Sequence, residues 1–446
     1  MANLIAVAIF LCLGLASAAM FVIYPGQIFV WYLLIKPVVD GFLEQGAVIG
    51  GATLSFSYLP SLLMPGLFLL LSAFHMDRFR HLPLKGLIIL YLLLNIAAYF
   101  KEGYFGIDTT GYYIRVIFPI FLFFGVPLFV ESRDALERLV KLAAISGIFP
   151  CAMIFLQKLG FISYNREAER LGSEVYERAT GGYADAFSVA LPIIISVFFL
   201  LQLIQMNKEG RRSQIMYEVL LGSYLFSLVF TFHRMTYLVV TVVLAMWIYL
   251  NKRVNYAFIL GGAAIAFLST LTVFVPDFFG DITLFSEPEA DVFAGQDGLE
   301  LERSALHGRG GLWMMFMNEY FSRPFVDQMF GIRMPGRAPH NDYIRVLFTV
   351  GAFGLGVYML LLTLIGGRML LILRHFSRSD DVFMKTLSQS ALFMFVFYIL
   401  GGMTLTISTL STMSWYFWIL FGIVAYQHSL YRTSQRELLR EALVRG

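Results

Sequence analysis

Charge is what this sequence has least of. Only 14% of its 446 residues are Asp, Glu, Lys or Arg, while 58% are hydrophobic and the mean hydropathy is +0.73. A soluble domain carries about 25% charged residues. A water-soluble enzyme is therefore excluded as a class, and no nucleic-acid partner is expected. Cysteine is nearly missing as well. Cys12 and Cys151 both lie in apolar runs and form no pair with metal or redox spacing. The N-terminus lacks a basic n-region, because no Lys or Arg precedes its apolar run. So although ASAAM at 16–20 offers a small-residue cleavage pattern, residues 4–23 read as a retained span rather than a signal peptide. Catalytic signatures are missing too. The chain has no HExxH, no GxxxxGK[ST] loop and no GxSxG. No metal site and no cofactor are expected.

What the sequence does have is long apolar runs. A bilayer core takes about 20 apolar residues per helix, and in lipid a helix satisfies its own backbone. The expected fold is all-α and polytopic, with about twelve transmembrane helices near 4–23, 55–74, 84–99, 114–130, 139–158, 184–206, 216–231, 235–250, 255–276, 342–366, 387–402 and 410–430. Spans 216–231 and 235–250 are short and meet at Phe232, His233 and Arg234, which reads as a hairpin. The piece 27–39 is too short to cross and reads as interfacial or re-entrant, broken at Pro37. The layout divides into helices one to nine (1–276), a large loop (277–341), and helices ten to twelve with a tail (342–446).

Positive charge orients the array. The short loops at 75–86, 131–141, 207–214, 251–254 and 367–386, plus the tail from 431, hold 19 of the 33 Lys and Arg residues. Both termini are expected on the cytoplasmic side, with the long connections 159–183 and 277–341 outside. Eleven of the other 14 basic residues are Arg. In the large loop, 286–302 reads as a solvated acidic segment. Leu312, Trp313, Phe316, Met317 and Tyr320 then mark an amphipathic helix on the outer surface.

Five of these Arg fall near one membrane face. Arg178 precedes a span, Arg234 sits at the hairpin tip, Arg309 opens the amphipathic helix, and Arg337 and Arg345 flank a polar cluster. A single Arg of this kind snorkels to headgroups or pairs with a loop carboxylate. A set of them suits the oxygens of a phosphate or diphosphate. His340 is the candidate for proton transfer, since its ordinary pKa of about 6.5 allows base chemistry near neutrality. Asn341 and Asp342 suit the cap of a helix starting near Tyr343. His233, beside Arg234, is a second candidate.

These residues carry a resemblance. RAPHNDYIRVLFTVGAFGLG, after GRGGLWMMFMNEYFSRPFVDQMFGI, resembles the C-terminal signature of the O-antigen ligase and Wzy-type polymerase family. It runs through Arg309, Trp313, Pro324, Gly331, His340, Asn341, Tyr343, Gly351, Gly354 and Leu355. TFHRMTYLVV resembles the family's hairpin turn, through Arg234. RATGGYADAFSVAL resembles its Arg-x-x-Gly motif, through Arg178 and Gly181. Two places depart: the small residues the family has around the hairpin Arg are His233 and Met235 here, and the family often has an acid where this chain has Thr349, so either His340 acts without it or another carboxylate such as Asp342 substitutes.

The resemblance implies a metal-independent, inverting membrane glycosyltransferase of the helical C type. It would sit in the bacterial inner membrane with a periplasmic active site. Its donor would be a glycan on undecaprenyl diphosphate and its acceptor a sugar hydroxyl. Arg178, Arg234 and Arg309 would bind the diphosphate, and His340 would act on the acceptor. Arg337, Asn341, Asp342, Tyr343, Arg345, Trp313 and His233 would support them. The bilayer and a chain-length regulator or flippase would be partners. HNDYIR favours a repeat-unit polymerase over an O-antigen ligase. A transporter of lipid-linked oligosaccharide is a further alternative.

Overall fold

The computed structural model describes residues 34–41, 46–49, 52–55, 78–103, 106–129, 132–162, 167–171, 174–183, 185–206, 210–231, 233–252, 309–334 and 338–445, with isolated positions at 12, 15, 19, 23 and 255. These residues form a helical bundle: α1 (Lys85–Lys101), α2 (Ile107–Phe129), α3 (Arg133–Ile145), α4 (Ile148–Lys158), α5 (Ala186–Met206), α6 (Arg211–Val229), α7 (Arg234–Asn251), α8 (Arg309–Phe321), α9 (Phe325–Phe330), α10 (Asp342–Phe376), α11 (Val382–Thr404) and α12 (Ser411–Arg445). Among the described residues, four stretches are long and apolar enough to cross a membrane: Arg133–Lys158, Ala186–Met206, Asp342–Phe376 and Val382–Thr404. Thr109–Gly125 and Met235–Asn251 are shorter apolar helices. The chain is thus a helical membrane protein. Nine of the expected spans fall on described helices. Those at 4–23, 55–74 and 255–276 lie outside the described residues but for a few positions, as does the acidic stretch 286–302.

The described residues are helical as expected, with two small antiparallel hairpins beside the helices. Gly46–Ile49 (β1) pairs with Ala52–Ser55 (β2), and Glu167–Leu171 (β3) pairs with Glu174–Arg178 (β4). Each pair flanks a two-residue linker, Gly50-Gly51 or Gly172-Ser173. A two-residue linker opening with Gly is a sequence signal for a hairpin. The expected break at Pro37 is corrected. The helix at 34–40 continues past it, with the Gly41 N–H donating to the Pro37 carbonyl at 3.2 Å. Proline removes only its own N–H and leaves its carbonyl free to accept.

Helix α5 is the centre. Its side chains are buried almost all round, as befits a helix surrounded by others. It packs on α3, α4, α6, α7, α11 and α12. At the junction of α3 and α4, the Gly147 backbone approaches Ser196 so closely that a Cβ would stand 2.8 Å from Ser196 Oγ. Helix α12 runs along α2, with Phe123 and Phe421 stacked at 5.3 Å.

The loops sort to two ends. At one, Ala179 N–H donates to the Phe230 carbonyl (3.0 Å), the Phe187 and His233 rings meet at 4.7 Å, and Asn341 Nδ2 donates to the Met403 carbonyl (3.1 Å). At the other, Arg133 grips Asp381 with two nitrogens, at 2.8 and 3.0 Å, and lies over the Phe383 ring. That fork ties the start of α3 to the start of α11.

Helix α10 is broken at Gly351, whose φ of +76° favours glycine. The Ile332 N–H donates to the Phe348 carbonyl at 2.8 Å beside this break. Backbones meet there so tightly that a Cβ on Gly331 would lie 2.0 Å from the Thr349 carbonyl oxygen. One on Gly351 would lie 2.3 Å from the Met329 carbonyl oxygen. Beyond the break, 352–376 runs about 37 Å at 1.5 Å per residue, enough by itself for a bilayer core of about 30 Å. The first segment, 342–350, is left to carry the polar cluster. Helix α8 rests on it, burying Phe316 and Tyr320 against Phe348.

Candidate functional site

The chain enters α10 through a clamped turn. Trp313 Nε1 donates to the Pro339 carbonyl at 2.8 Å. His340 then takes a left-handed conformation, φ +49°, and its side chain is exposed. Among residues with a Cβ, His is one of those that enter this region more readily. Asn341 returns to extended backbone and caps the helix, its Oδ1 accepting from the N–H groups of Tyr343 (3.0 Å) and Ile344 (3.1 Å). The same side chain holds Met403, and Tyr343 OH donates to the Ile399 carbonyl at 3.2 Å. One turn thus joins α8, α10 and the end of α11, and presents His340 outward.

Asp342 and Arg345 depart from their expected places. Asp342 does not cap, and Arg345 does not face outward toward an anion. They bury each other: Arg345 Nε donates to Asp342 Oδ1 at 2.7 Å with both side chains closed to solvent. Asp342 also accepts from Tyr358 OH (2.8 Å) and Ser408 Oγ (2.6 Å). Arg345 Nη1 donates to Tyr112 OH (3.2 Å), and that hydroxyl lies 3.3 Å from Thr349 Oγ1. The physical reason is spacing. At i, i+3 the two charges share a helix face, and a buried charge is tolerable only when paired and hydrogen-bonded. An acid at 349 would stand at i+4 from Arg345. Here Asp342 supplies the charge from the other side, and Thr349 reaches the Arg through Tyr112.

Arg178 and Arg234 are brought together at the level of their loops. Arg178 ends β4, half-buried, and the next residue's N–H holds Phe230, four residues before Arg234. His233 caps α7, with Nδ1 3.4 Å from the Thr236 amide and 3.3 Å from its hydroxyl. Its ring leans on Phe187, which also meets Phe397 of α11 at 6.2 Å. Arg309 opens α8, one helical turn before Trp313. Arg337 lies outside the described residues. Two groups result, Arg178 with Arg234 and His340 with the Arg309 helix, both at the same end and bridged by α11.

A third polar cluster was missed by sequence reasoning. Lys36, fully buried, pairs with Asp40, lies 3.5 Å from Thr412 Oγ1, and sits 5.6 Å from the Trp415 ring centroid. Thr412 also donates to Asp40, and Tyr183, five residues past Arg178, donates to the Pro37 carbonyl. The signal was there, a Lys and an Asp at i, i+4 in the apolar run IKPVVD.

No model of a known protein family matches this chain, and no curated protein matches it. The geometry offers an exposed imidazole on a rigid turn, cationic loops at the same end, and a buried ion pair beneath. That arrangement can hold an anion and take a proton from a hydroxyl.

Proposed function

We propose that this protein is a membrane glycosyltransferase that uses a glycan on undecaprenyl diphosphate at the outer face of the bacterial inner membrane, and that it polymerises repeat units of O-antigen or exopolysaccharide. The observation that carries the reading is the clamped turn 339–345. It holds His340 out at the end of the bundle that also carries the Arg178 and Arg234 loops and the start of the Arg309 helix. The positive-inside pattern of the sequence, with about twelve spans and both termini cytoplasmic, supports a periplasmic position for that end.

In this reading the acceptor hydroxyl oxygen attacks the anomeric carbon from the face opposite the diphosphate. The new C–O bond forms as the bond to the lipid diphosphate breaks, inverting the centre, and His340 takes the hydroxyl proton. The charge left on the diphosphate falls on Arg178, Arg234 and Arg309, where fixed donors stabilise it as it develops. No metal is needed for this assignment of charge. The prenyl tail stays in lipid, and a chain-length regulator or flippase would be a natural neighbour.

The test is deletion of the gene followed by electrophoresis of surface polysaccharide. Loss of polymer with single repeat units left on the lipid carrier or core supports the polymerase. Bare core with accumulating lipid-linked polymer would reassign the protein as an O-antigen ligase. Unchanged polysaccharide would sink the glycosyltransferase reading.

A further inference from the structure

At the other end of α10 the polar groups have a different character. Arg368 and His375, near its C-terminus, meet His428 and Arg432 of α12. The His375 and His428 rings stand edge to face at 5.0 Å, and Tyr431 covers His375 at 4.8 Å. Arg368, His375 and Arg432 are all close enough to interact electrostatically with His428, and Arg432 does so with Arg368. His428 is only 4% exposed, and Arg368 is half-buried.

Three donors or acceptors are enclosed without a protein partner among the described residues: Arg368 Nε, His375 Nε2 and His428 Nδ1. A buried polar atom left unmade costs about 1–3 kcal/mol. Here three such atoms belong to side chains that neighbour His428, where two guanidinium groups already repel each other. Water satisfies hydrogen bonds but leaves like charges uncompensated; an anion with several acceptor oxygens does both. Basic pockets between membrane helices at the cytoplasmic side are known places for lipid headgroups. The loops of this end are the Lys- and Arg-rich ones that the positive-inside rule puts in the cytoplasm.

We propose that Arg368, His375, His428 and Arg432 form a binding site for a phosphate-bearing anion at the end of the bundle opposite His340. The phosphate comes from an anionic lipid headgroup or from a soluble phosphate. Arg368 and Arg432 supply charge, and the imidazoles supply directed donors from the buried wall. The site takes no part in the glycosyl transfer proposed above and stands independently of it.

The test uses the full-length protein purified in detergent, by native mass spectrometry and thermal unfolding. Phosphatidylglycerol, phosphatidylcholine and inorganic pyrophosphate are the probes. Wild type is expected to retain phosphatidylglycerol over phosphatidylcholine, and Arg368→Gln to lose about tenfold in that preference. Arg432→Gln changes an exposed residue and serves if Arg368→Gln fails to fold. If the source is soluble, pyrophosphate raises the melting temperature of wild type but not of the variants, and lipid preference is absent. Equal retention of every probe by wild type and both variants would overturn the site.

Discussion

Near its start α10 buries Arg345 against Asp342, with Tyr358, Ser408 and Tyr112 adding hydrogen bonds and Arg345 Nη2 left without a partner among the described residues. Near its finish it brings Arg368 and His375 to His428 and Arg432 without an acid among the groups that interact with His428. One helix therefore carries a closed polar network at one end and an open cationic one at the other. The closed network fixes geometry, because its two charges are paired inside the protein. The cationic one would take its compensating charge from the anion proposed above. The difference sets residues that hold a backbone in place apart from residues suited to bind a ligand.

The largest effect should come from breaking the closed network. Asp342→Ala strands Arg345 in the core and should destabilise the protein by about 3–5 kcal/mol, seen as a steep fall in melting temperature in detergent. Replacing both partners, Asp342→Leu with Arg345→Met, should recover much of that loss. If the double variant is as damaged as the single one, the pair is not the closed unit described.

Next comes the break that separates the two ends. Gly331→Ala or Gly351→Ala forces a Cβ onto backbone at positive φ, and should cost at least about 2 kcal/mol. Gly356→Ala has open space and should be nearly silent in the same unfolding assay. A silent Gly351→Ala would mean that α10 does not need its break.

Asn341→Ala should be milder, costing about 1 kcal/mol of cap stability. Its loss of transfer activity should exceed what that cost explains, since the cap also holds the His340 turn to Met403. Turnover compared with melting temperature separates the two.

The smallest effect concerns Asp381, at the same end as the open cluster but closed by Arg133. Burial works against its charge, yet the hydrogen bonds from Arg133 and from the Met384 amide more than offset it, holding the carboxyl below its usual range. A depressed folded pKa stabilises above the unfolded value of about 3.9 and is lost as pH falls through the folded one. Asp381→Asn should therefore flatten the acid limb of the stability profile slightly, with little change at neutral pH beyond that of a partly exposed pair.

Much of the bundle was legible because length and hydropathy alone specify a span, and the change from α6 to α7 was readable from two short apolar runs meeting near His233 and Arg234. The cap at Asn341 was legible as a residue type at a helix start. The inward turn of Asp342 and Arg345 was not, because spacing shows that two charges share a face but not that the face is buried; that needed Tyr358 and Ser408 from distant sequence. Lys36 and Asp40 were passed over because a short apolar run with a proline drew attention to its break. The hairpins were missed although Gly50-Gly51 and Gly172-Ser173 signal them, because membrane-length counting has no category for four- and five-residue strands.

In the proposed function the turn at 339–345 presents His340 as the base at the donor-binding end. The most direct measurement is single-turnover transfer by purified wild type and His340→Ala on an undecaprenyl-diphosphate-linked oligosaccharide, with melting temperature measured alongside. A loss of about 100-fold or more is expected, as removal of a general base brings, with an unchanged melting temperature for this exposed side chain. Full transfer activity in a stable His340→Ala protein would contradict it.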